Sequence, residues 1–106
     1  LADYVHSKGL LFGIYGDAGT HTCANRAGSL NFEYKDAQVF AEWGVDYLKY
    51  DNCNNTKLPA EKRYQANALN AAGRPTYFSL CEWGENKPYI WGPGIAGERL
   101  LTFRQN

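Results

Sequence analysis

Lys49 and Asp51 stand two residues apart in Tyr47-Leu48-Lys49-Tyr50-Asp51-Asn52-Cys53, a stretch that would put an ammonium and a carboxylate on one face of a strand. The residue types argue for that strand. Aromatic and apolar side chains that favour extended backbone stop at Asp51-Asn52, where turn chemistry begins. Tyr47, Lys49 and Asp51 then share one face, and Leu48 and Tyr50 share the other. Lining a partly dry pocket, Lys49 would favour the ionised form of Asp51 and leave a bare carboxylate able to act as a nucleophile. The competing reading of the same spacing is a solvated ion pair at the end of a sheet.

Other side chains could also do chemistry. Three cysteines, Cys23, Cys53 and Cys81, are an odd number and allow one disulfide and a spare thiol. With His21 they supply the residue types of a zinc site, but not the closely spaced Cys-x-x-Cys pair that usually marks one, and no metal is expected. Asn54-Asn55-Thr56 is a formal glycosylation sequon three residues past Asp51, where a glycan would crowd a pocket. Asp17 and Glu85 read as loop carboxylates.

The elements that must position these groups alternate. Residues 1–8 read as the tail of an amphipathic helix stopped by Gly9, and 10–15, Leu-Leu-Phe-Gly-Ile-Tyr, as a strand covered on both faces. Gly16 to Leu30 is a long loop carrying His21 and Cys23. A helix is expected over 34–43 with Gly44 ending it, then the Tyr47 strand. Pro59 suits the first turn of a helix running to about Ala72, stopped by Gly73 and Pro75. Thr76 to Leu80 is the third strand, followed by Cys81-Glu82-Trp83-Gly84 and a loop containing Pro88, Trp91 and Pro93.

Strand ends near Tyr15, Asp51 and Cys81 lie 36 and 30 residues apart, close to the roughly 31 residues per unit of a (β/α)8 TIM barrel. The expected fold class is therefore α/β, a partial (β/α)8 barrel of about three consecutive βα units, and three units cannot close a barrel. The runner-up is a small open three-layer α/β domain. The chain has no initiator Met and no secretory signal pattern, so it is expected to be a piece of a larger protein.

Composition narrows the partner. The 106 residues are 44% apolar, and eleven basic residues balance eleven acidic ones. No charge excess points to nucleic acid and no long apolar run to a membrane, so a small neutral ligand is expected. Eight Tyr, five Phe and three Trp would suit sugar faces, which stack on rings, although aromatic residues more often fill a core.

In barrels of this kind the site lies where strands finish, which gathers Tyr15, Asp17, Lys49, Asp51, Cys53, Cys81, Glu82 and Trp83. Gly13-Ile14-Tyr15-Gly16-Asp17-Ala18-Gly19, Thr22-Cys23-Ala24, the run from Asp36 to Cys53, and Ser79-Leu80-Cys81-Glu82-Trp83-Gly84 resemble, in order, segments of glycoside hydrolase family 27, the α-galactosidases. The resemblance implies Asp51 as the catalytic nucleophile and Lys49, Tyr15, Glu82 and Trp83 as substrate-binding residues. It implies a Cys23 to Cys53 disulfide, and through that bond a secreted, lysosomal or vacuolar protein. Glu82, where acetamido-sugar enzymes of the family have a small residue, implies galactose rather than N-acetylgalactosamine.

The implied reaction is retaining hydrolysis of terminal α-galactosides or galacto-oligosaccharides, with no metal or cofactor. The family's acid/base Asp should follow Trp91. Residues 97–106, Gly-Glu-Arg-Leu-Leu-Thr-Phe-Arg-Gln-Asn, contain no Asp and do not resemble the family. Residues 1–96 are thus expected to be part of a catalytic barrel and 97–106 a divergent tail, with the chain inactive alone. The alternatives are a catalytically dead sugar-binding remnant and an α-N-acetylgalactosaminidase.

Overall fold

Gly44 takes a left-handed backbone conformation (φ 79°) that ends helix α2, Glu33–Trp43, and turns the chain into strand β2, Tyr47–Asp51. Around this pair the computed structural model, which describes residues 1–64 and 66–96, builds an alternating chain. Helix α1 (Ala2–Ser7) precedes β1 (Gly13–Asp17); after β2 come α3 (Ala60–Arg63), α4 (Ala66–Ala71), β3 (Tyr77–Leu80) and α5 (Pro88–Ala96). The tail expected at 97–106 lies outside the described residues.

The three strands form one parallel sheet in the order β1-β2-β3. Its register aligns Ile14 with Leu48 and Leu48 with Phe78, and Tyr50 with Leu80. That row faces the helices. Leu48, Tyr50, Phe78 and Leu80 are buried with Ala18, Ala60 and Tyr64, and Phe40, Leu69, Trp91 and Ile95 pack against them. Burying each large apolar side chain contributes about 1.5–3 kcal/mol, so this face holds the sheet together.

Among the described residues the opposite face is uncovered, as expected of an arc that does not close. Gly13, Tyr47 and Tyr77 lie in one row, and Tyr15, Lys49 and Ser79 in the next. The Tyr47 and Tyr77 rings stack 5.3 Å apart at 7°. Asp17 and Asp51 are paired at the carboxyl end of the sheet.

The other end is clamped by Asp46. Its carboxylate accepts from the Phe12 N–H (2.9 Å), pairs with His6 Nε2 (2.6 Å) and accepts from Arg74 Nη2 (2.8 Å). Its carbonyl accepts from the Tyr77 N–H at 2.8 Å and its own N–H donates to Phe12 at 2.8 Å. One residue thus ties α1, the entry to β1 and the entry to β3 to β2.

Three expectations are corrected. The first strand begins at Gly13, and Leu10 and Leu11 are 61% and 81% exposed rather than covered on both faces. The register with β2 and the Asp46 clamp at Phe12 set its start, and neither can be seen locally. The helix expected from Pro59 to Ala72 is two helices, because Tyr64 leaves helical geometry (φ −93°, ψ 78°). Its buried ring packs on Tyr50 and Trp91. The loop expected around Pro88, Trp91 and Pro93 is α5. Pro88 costs no hydrogen bond in a first turn, and Trp91 and Ile95, one helical turn apart, pack on the core.

Candidate active site

Asp51 is the last residue of β2 and is buried, yet its side chain belongs to the uncovered face of the sheet. Neutral donors hold the carboxylate. Tyr15 Oη donates to Oδ2 at 2.6 Å, Trp83 Nε1 to Oδ1 at 3.0 Å, and the Asn52 N–H to Oδ1 at 2.9 Å. Tyr15 comes from the neighbouring strand, in register with Lys49. Burial first, and then the hydrogen bond to Asp51, push its phenol well above the usual tyrosine range, so it stays a neutral donor. Trp83 is the third residue after β3 and sits in the left-handed region (φ 66°), a backbone conformation rare for a bulky residue and concentrated at functional sites.

Lys49 does not pair with Asp51 as the strand pattern anticipated. Its Nζ lies over the Tyr15 ring, 5.8 Å from the centroid, and both ion pairs among the described residues are made by Asp46. The two side chains do share a face, and the ammonium stands exposed beside the carboxylate's tyrosine partner.

Asp17, in register with Asp51, is fully buried and serves as a staple. Oδ1 accepts from the Gly19 N–H (2.7 Å) and Oδ2 from the Cys53 N–H (2.9 Å). Desolvation raises its pKa, against the lowering effect of those two bonds. Glu82 is 2% exposed, and its carboxylate accepts from the Asn86 N–H at 3.1 and 3.3 Å and from the Asn86 amide. That bonding shapes the turn into α5, while Trp83 beside it is 40% exposed. Of the expected site residues, Tyr15, Asp51 and Trp83 are in direct contact, Lys49 is one ring away, and Glu82 faces its own turn.

The loop after β1 is sewn onto the turn after β2. Cys23 and Cys53 form a disulfide with their Cα atoms 5.2 Å apart, and Cys23 Sγ lies 3.9 Å from Asp51 Oδ2. The Thr20 N–H donates to the Asn54 carbonyl, and Asn54 Nδ2 to the carbonyls of His21 (3.1 Å) and Thr22 (3.2 Å). Asp17, Cys23, Asp51 and Cys53 place ligand-type atoms within 4.8 Å of one another. The disulfide leaves neither of those sulfurs a thiolate for a metal. His21 and Cys81 are not in that group; Cys81 is free and buried, and burial pushes its thiol up. Among the described residues no helix is long and apolar enough to cross a membrane.

A family model described as alpha galactosidase A matches residues 1–93. The chain belongs to that family. An α-galactosidase of Coffea arabica is 60% identical over 105 residues, covering 96% of this chain and 28% of that protein. A solved α-galactosidase of Saccharomyces cerevisiae superposes with a TM-score of 0.84 at 48% identity over 89% of this chain and 22% of its own, and a second structure of the yeast enzyme is with raffinose. This α-galactosidase-family chain therefore spans about a quarter of the length of these relatives, and its three-stranded arc is a section of their barrel.

Two residues at the site escaped the sequence reading. Asn52, fully buried, and Arg63, on α3, lie directly beneath the Asp51 turn. Asn52 carries a turn signal that says nothing of its burial, and nothing in the spacing of Arg63 marks it.

Proposed function

We propose that this chain is the nucleophile-bearing section of a retaining α-galactosidase acting on terminal α-D-galactosyl residues of galactosides or galacto-oligosaccharides, raffinose being one such sugar bound by a relative. The observation that carries the reading is the Asp51 carboxylate at the strand end, held by the Tyr15 O–H and Trp83 N–H on the open side of the sheet. Neutral donors orient a carboxylate while leaving its charge in place, which suits a group that must attack a carbon. Asp51 would bond to the anomeric carbon as the bond to the leaving oxygen breaks, a second carboxylic acid giving that oxygen its proton. Water would then cleave the glycosyl ester with the second group as base.

Lys49, the Tyr15 ring and Trp83 would contact the sugar; Glu82, turned towards Asn86 in this arc, would have to swing outward to contact it and exclude an N-acetyl substituent. The chemistry calls for no metal or cofactor. Asp17 and Glu82 spend their carboxylates on N–H groups within the chain, and residues 97–106 hold no Asp. Glu85, the other loop carboxylate at this end, accepts from Asn52 Nδ2; with the acid supplied from elsewhere in the barrel, this chain alone would be inactive. The Cys23–Cys53 bond fits an oxidising compartment, so the active protein would be secreted, vacuolar or lysosomal.

The test places residues 1–96 in the matching stretch of the Coffea arabica α-galactosidase and measures hydrolysis of a chromogenic α-galactoside. Hydrolysis is expected, with a fluorinated galactosyl fluoride trapped as an ester on Asp51 and activity abolished by Asp51→Asn. Full activity in the Asn variant would refute the nucleophile assignment. The same barrel carrying residues 1–106 tests the sugar-binding reading, which the absence of Asp in the tail favours: binding of galactose without hydrolysis would support it.

A further inference from the structure

Arg63 is a cation sealed inside the protein, 1% exposed, and among the described residues it makes no ion pair. Its Nε donates to the Leu58 carbonyl at 2.8 Å, its Nη1 donates to Asn52 Oδ1, and its guanidinium lies 5.6 Å from the centroid of the Tyr64 ring. A buried charge is expensive unless its donors are met. Among the described residues two of its N–H groups are met by neutral acceptors and the guanidinium lies beside a ring, all belonging to the turn after β2 and the helix that follows.

Asn52 translates that cation into geometry. Its side-chain oxygen faces Arg63, which can only donate, so its amide nitrogen is left pointing the other way. There Nδ2 donates to the Glu82 carbonyl at 3.2 Å and to Glu85 Oε2 at 3.3 Å, groups that can only accept. A donor on one side and acceptors on the other allow the amide a single orientation. The Asn52 N–H meanwhile donates to Asp51 Oδ1, the oxygen that also receives Trp83 Nε1. Tyr64, next to Arg63, donates its O–H to the Asp51 carbonyl at 3.4 Å.

We propose that Arg63 is a positioning residue for the reaction: through Asn52 it locks the turn after β2 to the turn after β3, and so holds the Trp83 indole against the Asp51 carboxylate. The guanidinium fork is essential, because one end must hold Leu58 while the other holds Asn52. A lysine offers one ammonium and cannot span both. This inference rests on Asp51 being the nucleophile, and the experiment separates the two.

In the barrel chimera, Arg63→Lys is expected to lower kcat roughly ten- to a hundredfold with KM nearly unchanged, the size of effect that small misplacement of a reacting group produces. Arg63→Ala should fall at least as far and regain rate on addition of guanidinium ion, and Asn52→Asp, which sets a carboxylate against Glu85, should fall too. Should the Ala variant fail to fold, the Lys variant decides, its fold checked by near-ultraviolet circular dichroism. A second readout needs no turnover: the Trp83 indole N–H resonance, assigned by its loss in Trp83→Phe, should shift and exchange faster with solvent in Arg63→Lys. A wild-type kcat in Arg63→Lys overturns the proposal, as does an unmoved indole resonance. If Asp51→Asn stays active, the nucleophile assignment falls on its own, and the indole resonance still decides whether Arg63 positions Trp83.

Discussion

The Tyr15 phenol donates to Asp51 Oδ2 at 2.6 Å across two adjacent parallel strands, 36 residues apart in sequence. The two residues are not in register with each other; Tyr15 aligns with Lys49, one pleat repeat below Asp51, so its ring reaches along the sheet to the carboxylate. The same ring lies under the Lys49 ammonium. Tyr15 thus mediates between a cation and an anion that are two residues apart on one strand.

Tyr15→Phe in the barrel chimera should lower kcat by about tenfold or more, since a charge-assisted hydrogen bond is worth roughly 1.5–3 kcal/mol. Both burial and the Asp51 carboxylate favour the neutral phenol. In an ultraviolet pH titration, the transition lost in Tyr15→Phe should therefore lie above the ordinary tyrosine value of about 10. A lost transition at or below that value would contradict the contact.

Reducing the Cys23–Cys53 bond should destabilise the chimera by roughly 3–4 kcal/mol, the entropy expected for a loop of this size, since the cysteines are 30 residues apart. The comparison is urea unfolding of the oxidised protein against Cys23→Ala/Cys53→Ala. Because the bond lies against Asp51, the double variant should also lose activity under conditions where it remains folded.

Asp46 sets an acid limit. The Phe12 N–H first, then His6 and Arg74, hold its pKa down to about 2. The folded value lies below the unfolded value of about 3.9, so the clamp stabilises fully above that pH and its contribution is lost as pH falls from about 4 to about 2. Urea midpoints measured across this interval should fall more steeply for the native sequence than for Asp46→Asn. Equal slopes would show that the clamp contributes nothing.

Gly19→Ala should destabilise by roughly 1–3 kcal/mol, the usual cost of forcing extra atoms into a packed site. A Cβ there would lie 2.0 Å from the Cys53 carbonyl oxygen and 2.5 Å from that of Asn54, backbone atoms that cannot swing aside. Thermal unfolding of this variant in the chimera, set beside Gly94→Ala, whose added carbon meets open space, isolates the close approach. Equal midpoints would argue that the two turns do not pack as described.

By itself the sequence determined the alternation of helices and strands, the two faces of β2, the stop at Gly44 and the family segments that mark Asp51 and the cysteine pair. These signals are local: side-chain period, turn residues and short motifs act over a few residues. Tertiary structure decided the rest. It set the start of β1 through the register with Tyr47 and the Asp46 clamp, broke the helix at Tyr64, and made α5 from a segment rich in Pro and Gly because Trp91 and Ile95 found the core. It gave Asp51 the neutral partners Tyr15 and Trp83 in place of Lys49, turned Glu82 towards Asn86, and buried Arg63 beneath Asn52. Most of these choices join residues ten to forty positions apart, where burial and hydrogen-bond satisfaction decide among arrangements that local preferences leave equal.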